Sequence, residues 1–297
     1  MRWEGERESS NVEDRRADSG RRARIGLPGG RGGLGLGAVL VALLVGWLFG
    51  INPLTLLGLL EGGVPEVSTV PAPGSPSGPQ ATAPQDPGAR FASVVLASTE
   101  DVWQHEFAQR GARYEPPVLV LYRGGTRTAC GLGDAAAGPF YCPPDRRVYI
   151  DLDFFAVMRE RLGAGGDFAQ AYVIAHEVGH HLQNLAGTTS QMASARARLS
   201  ERQYNALSVR LELQADCYAG VWAQRSQQAK GWLEHGDLEE AIAAAAAVGD
   251  DRMQRQSQGV VVPDAFTHGS SAQRAQWFRT GFQQGRLEAC NTFAGGG

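Results

Sequence analysis

From Leu34 to Leu60 the chain runs 27 residues without a charge, LGLGAVLVALLVGWLFGINPLTLLGLL, and no other feature of the sequence constrains the fold as much. About 20 apolar residues in a helix cross the hydrocarbon of a bilayer, so this length predicts one transmembrane helix. The competing reading is a cleaved signal peptide, whose apolar region would span roughly 7 to 15 residues and end at a small-residue cleavage site that this flank lacks. Asn52 and Pro53 divide the run, so the spanning helix is drawn from Leu34 to about Ile51, with 54–60 at the far interface. Arg21, Arg22, Arg24 and Arg31 precede it, and Glu61 and Glu66 follow. By the positive-inside rule the N-terminus is expected in the cytoplasm, with everything beyond Leu60 outside an inner or plasma membrane.

The run divides the chain. Residues 1–33 hold eight arginines and six acids and are expected to be a polar cytoplasmic arm without a core. Residues 61–89 carry seven prolines and five glycines, the composition of an extended linker. Residues 90–297, 208 in number, suit one domain with one core. A net charge of -3 offers no basic stripe for phosphates, which excludes nucleic acid as the expected partner. All four cysteines fall in the last block, where an oxidising compartment would let them pair. Cys130 and Cys142 enclose a Gly/Pro-rich turn segment, and pairing them leaves Cys217 with Cys290, one of three connectivities. The alternative leaves the thiols free, with Cys217 packed as a small apolar group.

The chemistry sits between Gly166 and Gly187. Asp167 with Gln170 three residues on has the pattern of a capping box, and Gly187 closes the segment as a helix C-cap glycine. Phe168, Tyr172, Ala175, Val178, Gly179 and Leu182 recur at helical spacing and make one apolar face, leaving His176 and His180 together on another. Two imidazoles one turn apart can present nitrogens to one tetrahedral zinc, and Glu177 stands beside them to take a proton from water. The string is an HExxH, against the bland alternative of two surface histidines in a salt-bridged face. His181 points elsewhere and reads as a packing or surface residue. A third protein ligand is needed, and Glu212 and Asp216, one turn apart in a proline-free helix expected from Ser200 to Gly231, supply a ligand and a carboxylate for the outer N–H of an imidazole.

These residues carry a resemblance. HEVGHH, followed by Glu212 and by Ala215-Asp216, resembles the glutamate-zincin peptidases, notably the HtpX-type membrane peptidases. More closely, the chain resembles a neutral zinc metallopeptidase family of bacteria, from its opening MRWEGERESSNVEDRR through GPFYCP, VYIDL, GGDFAQAYVIAHEVGHHLQN and ELQADCYAGVW to FTHGSSAQR and the final Cys290-Asn291-Thr292-Phe293. The resemblance implies zinc (Zn2+) held by His176, His180 and Glu212, Glu177 as general base, and Asp216 behind a ligand. It also implies strands at 139–142 and 147–150 beside the active-site helix, whose edge would hold an extended peptide. Thr267-His268-Gly269 through Arg274 resembles the T-H-P-x-x-x-x-R stretch of the HtpX-type enzymes, so His268 is a candidate to stabilise an oxyanion or to close the metal site. Its alternative is a residue leading into the helix that begins near Ser270. Arg274 would hold a substrate carboxylate or pair with an acid.

The remaining readings are structural. His105 lies in a helix expected over 90–110, His235 in a turn, and Leu238–Val248 in a packing helix opened by Asp237. Phe154, Phe155 and Met158 read as a core stripe. The expectation is therefore an α+β, zincin-like domain with a small sheet beside the HExxH helix, preceded by one transmembrane helix. Its expected function is that of a membrane-anchored zinc endopeptidase acting on peptides or proteins, with possible envelope partners. The alternative function is a non-catalytic, zinc-stabilised envelope binding or scaffold domain.

Overall fold

The computed structural model describes residues 1–17, 86–134 and 138–294. Two short runs rich in β-branched and aromatic residues, β2 (Val118–Tyr122) and β6 (Arg147–Asp151), pair in parallel at the centre of a four-stranded sheet. Leu119 to Leu121 and Val148 to Ile150 are fully buried, as expected of strands covered on both faces. β1 (Val12–Asp14) adds in parallel to β2, and β5 (Phe140–Cys142) lies antiparallel to β6, so β5 forms one edge of the sheet. β3 (Gly125–Thr128) and β4 (Gly131–Asp134) form a separate hairpin.

The rest of the described chain is mainly helical. α1 (Pro87–Gln109) begins inside the expected linker, because Asp86 caps it through the Ala89 N–H and Pro87 is favourable at a first helical position. α2 (Asp153–Arg161) and α3 (Asp167–Leu185) follow the sheet, then α4 (Thr188–Arg196) and the long α5 (Glu201–Lys230). α6 (Asp237–Ala247), α7 (Asp250–Gln258) and α8 (Ser271–Gln284) complete the domain. Ser200 and Gln203 form a capping box at the start of α5, and Gly231 ends it with φ 62°, the left-handed conformation glycine takes most cheaply. The α+β reading with a small sheet beside α3 therefore fits the described residues.

Close helix approaches set the site. A Cβ on Gly179 would meet Ala215 backbone atoms at 3.0 and 3.1 Å, so this glycine lets α3 lie against α5 and brings the His180 turn beside Glu212. Gly220 and Gly281 do the same for α5 and α8: a Cβ on Gly281 would fall 2.0 Å from the Cys217 carbonyl oxygen. The expected cysteine pairs form, Cys130–Cys142 tying the β3–β4 hairpin to β5 and Cys217–Cys290 tying α5 to the chain end.

Four expectations are corrected. Asp167 does not cap α3: Gly166 is the cap position, and Glu240 of α6 accepts from the Phe168 N–H at 3.1 Å, while Asp167 accepts from the Trp3 indole. Asp237 likewise lies within α6, and one of its carboxylate oxygens is 3.2 Å from the Met1 ammonium.

The other two corrections concern the membrane reading. The run 34–60 lies outside the described residues, as does most of the expected linker, and among the described residues no helix is long and apolar enough to cross a membrane. The chain on either side of the run decides against the single-pass arrangement. Residues 1–17 belong to the same compact unit as the chain from Asp86 onward, with Val12 opposite Leu119 and Asp14 opposite Leu121 in one ladder. Strands that share hydrogen bonds lie on one side of any bilayer, so a cytoplasmic arm with an extracytoplasmic domain is overturned. The arm's polar composition concealed this because its charges have partners inside the fold. Arg7, Ser9 and Asn11 all bind the buried Glu100 carboxylate, at 3.1, 2.5 and 2.7 Å, and Arg16 bridges Asp14 and Asp86.

Candidate metal centre

α3 and α5 supply three converging donors. His176 Nε2 lies 3.2 Å from Glu212 Oε2 and His180 Nε2 lies 3.5 Å from Glu212 Oε1, and all three ligand atoms fall within 4.8 Å of one another. A tetrahedral ion that holds nitrogen and oxygen at about 2.0 to 2.2 Å separates them by roughly 3.3 to 3.6 Å. The His180 distance falls in that range and the His176 distance lies just below it, so a small shift of the Glu212 carboxylate would let the three donors share one small divalent cation. The four-residue spacing of the histidines, about one helical turn, and the Gly179–Ala215 contact produce this convergence.

The outer nitrogens are held as well. Asp216 Oδ1 is 2.8 Å from His176 Nδ1 and Gln183 Oε1 is 2.9 Å from His180 Nδ1, so each acceptor fixes a proton on Nδ1 and turns Nε2 toward Glu212. Gln183 is held in turn by donating to the Leu211 carbonyl at 2.7 Å. Asp216 is fully buried and receives Arg274 through Nε at 2.8 Å and Nη2 at 2.9 Å, and the Tyr172 hydroxyl at 2.5 Å. Arg274 thus pairs with an acid, the second of its two expected roles. Gly220 and Gly281 let α8 come close enough to α5 for this pairing.

Proton affinities follow from these contacts. Burial opposes charge on His176, but the Asp216 and Glu212 carboxylates outweigh it and push the imidazole up to about 9. Burial would raise Asp216, yet Arg274 and His176 bring it down to about 2. Glu212 is held well below the carboxylate range by His180 and His176 against its burial. Glu177 goes the other way: burial raises its carboxyl, and the two imidazoles only partly offset that. The Glu177 carboxyl makes no hydrogen bond among the described residues and lines the cleft beside the three donors. His181, read as packing, is fully buried: Nε2 lies 2.6 Å from the Glu115 carbonyl oxygen, and Nδ1 faces the Tyr141 hydroxyl of β5 at 3.0 Å.

His268 lines the same cleft, but it stands apart from the converging three. Asp250, the first residue of α7, accepts backbone N–H groups from Thr267, His268 and Gly269 at 2.7, 2.6 and 2.9 Å and lies 3.1 Å from His268 Nδ1. Sequence reasoning missed Gln183, Tyr172 and Asp250. Gln183 lies one turn after His180, a spacing that could have suggested it. Tyr172 was assigned wholly to the apolar face, and nothing in the spacing links Asp250 to His268. The expected core stripe divides: Phe155 and Met158 are buried, and Phe154 lines the cleft.

The fold and site together define a mainly helical α+β protein built around a cluster of two histidines and one glutamate that could hold a metal ion. The chain belongs to the family described as "Putative neutral zinc metallopeptidase", which matches residues 1–293. It is 51% identical over 297 residues to the Escherichia coli (strain K12) protein YpfJ, covering 99% of each chain. It is also 46% identical over 191 residues to Rv2575 of Mycobacterium tuberculosis, covering 61% of this chain and 64% of that one, and to Mb2605 of Mycobacterium bovis to the same extent. No solved structure matches the chain.

Proposed function

We propose that this protein is a zinc-dependent endopeptidase whose ligands are His176, His180 and Glu212. The observation that carries the reading is Glu177, a buried carboxyl without a hydrogen-bond partner among the described residues, placed between the two histidines in sequence and open to their cleft. A purely structural metal site has no use for such a group. Zinc, when bound, would supply Lewis acidity and lower the pKa of water.

The chain's own residues do the rest. Glu177 takes the proton of the attacking water on a carboxylate oxygen and returns it to the leaving amine nitrogen. The raised proton affinity that burial gives this carboxyl suits both transfers. Asp216 and Gln183 hold the Nδ1 protons of His176 and His180, which fixes the two rings. Asp250 fixes His268 through Nδ1 and leaves its Nε2 for a substrate oxygen in the cleft. β5, as a sheet edge, can align an extended peptide by backbone pairing.

The test is cleavage of a proteome-derived peptide library by the purified full-length chain, followed by mass spectrometry. Cleavage that stops with a chelator and returns with one equivalent of zinc is the expected result. A protein that carries zinc and cleaves no peptide in the library would overturn the reading.

A further inference from the structure

The metal centre occupies only part of its cleft, which encloses about 1120 Å³. The remaining walls are apolar in a way the rest of the surface is not. Among the described residues five large hydrophobic side chains are exposed, and two of them, Val157 at 40% and Met253 at 42%, line this cleft. A single exposed apolar residue means little, but apolar groups gathered in a concave site beside reactive groups indicate a ligand surface.

Three elements build the surface. Phe154 and Val157 come from α2, Met253 from α7, and Val173 from α3. The phenyl ring of Phe154 also lies against Gly138, where an added Cβ would sit 3.4 Å from it, so the α2 wall joins the chain leading into the edge strand β5. Val173 precedes His176 by three residues, which puts the two on one helix face about 4.5 Å apart along the axis. An extended peptide advances about 3.3 Å per residue, so a substrate carbonyl near Glu177 would bring a neighbouring side chain over Val173. The polar lining groups near these walls have other partners or face outward: Arg161 and Asp153 are exposed on α2, Asp151 accepts from the Gly124 and Asp153 N–H groups, Asp250 is taken up by the 267–269 backbone, and Gln256 and Ser257 are exposed on α7.

We infer that Phe154, Val157, Val173 and Met253 form the subsite that takes a bulky apolar side chain next to the scissile bond, so the substrates are extended segments carrying Leu, Phe or Met. This rests on the peptidase reading given above and names its substrate class. The apolar character is specific to this part of the cleft: the metal side carries carboxylates and imidazoles, which would not favour a hydrocarbon chain.

The experiment separates the subsite from the chemistry. Fluorescein-labelled alanine-based decapeptides carrying one Phe, Gly or Asp are titrated by anisotropy against the zinc-loaded Glu177→Gln protein and against the same protein carrying Val157→Asp or Met253→Glu. The same peptides are offered for cleavage to the wild-type chain and to the two single cleft variants. Both cleft positions are exposed, and an unchanged melting curve confirms that each variant is folded. The Phe peptide should bind and be cleaved roughly tenfold better than the Gly peptide, and either cleft substitution should abolish that margin. Equal binding of the three peptides, or a margin that survives both substitutions, would overturn the subsite even if cleavage is observed. A Phe margin in binding that both substitutions erase supports the subsite, and if the wild-type chain then cleaves nothing, it is the peptidase reading that fails.

Discussion

Replacing Arg274 by methionine removes the cation from a pair that has almost no access to water. The Asp216 side chain is 0% exposed and that of Arg274 is 4% exposed, and the two meet through two hydrogen bonds of 2.8 and 2.9 Å. Methionine fills much of the same space but removes both guanidinium hydrogen bonds and leaves the Asp216 charge with the Tyr172 hydroxyl and the His176 imidazolium, which also faces Glu212. Breaking a buried pair in this way costs about 3 to 5 kcal/mol. A domain of this size loses about 2 to 4 °C of Tm per kcal/mol, so the variant should melt roughly 6 to 20 °C below wild type. The assay is thermal unfolding followed by circular dichroism at pH 7 in a chelator, so that metal loss contributes nothing. Adding Asp216→Asn to the same chain removes the orphaned charge and should recover at least half of the loss. If Arg274→Met melts within about 2 °C of wild type, the pair does not hold the site together. An Arg274 that served a substrate carboxylate would instead raise KM and leave Tm unchanged.

Three further outcomes follow from the geometry. Gln183→Leu removes the acceptor behind His180 and should weaken zinc binding roughly 10- to 100-fold by competition with a chromogenic chelator, whereas an unchanged affinity would mean that Gln183 does not orient the ring. Ser9→Ala with Asn11→Ala deletes two hydrogen bonds to the buried Glu100 carboxylate and should lower the urea unfolding free energy by about 3 to 6 kcal/mol, while a free polar arm would give no change. His181 is held down to about 4 by burial, the Arg146 charge adding to it against the Glu115 contacts. The unfolded chain therefore takes up its proton near pH 6.5 and the folded chain does not until about pH 4. The stability from the neutral ring is fully present above pH 6.5 and is lost as pH falls toward 4, by about 3 kcal/mol in total. In chelator, His181→Asn should lack that slope when urea midpoints at pH 7 and pH 5 are compared with wild type; parallel slopes would refute the assignment.

The sequence made the metal centre legible because local rules govern it. Four-residue spacing on α3, the Glu212–Asp216 spacing on α5, and the helix starts near Ser200 and Ser270 all depend on neighbours within a turn or two of helix. Gln183 and Asp250 were hidden because what they hold is decided by side-chain direction and by how helices pack. The Gln183 side chain is anchored on the Leu211 carbonyl only once Gly179 has let α3 meet α5, and Asp250 finds its donors only once the 267–269 loop has wrapped the start of α7. The arm misled for a related reason. Residues 1–17 are too charged to signal a core, yet their partners Glu100, Asp101, Lys230 and Asp237 lie far along the chain, and only the tertiary fold brings them together. The apolar run 34–60 was read from its length and its orientation from the flanking charges, and the strand preceding it overturned the topology drawn from those charges.

Glu177→Gln tests the central claim most directly, since it keeps the shape of the side chain and removes only its capacity to carry a proton. Zinc content and peptide cleavage are measured on the same preparation of the wild-type and variant chains. Near-equal zinc stoichiometry, with cleavage falling by roughly 100-fold or more, is the predicted result. Cleavage within a few-fold of wild type at equal zinc content would contradict the assignment of Glu177 as the proton carrier.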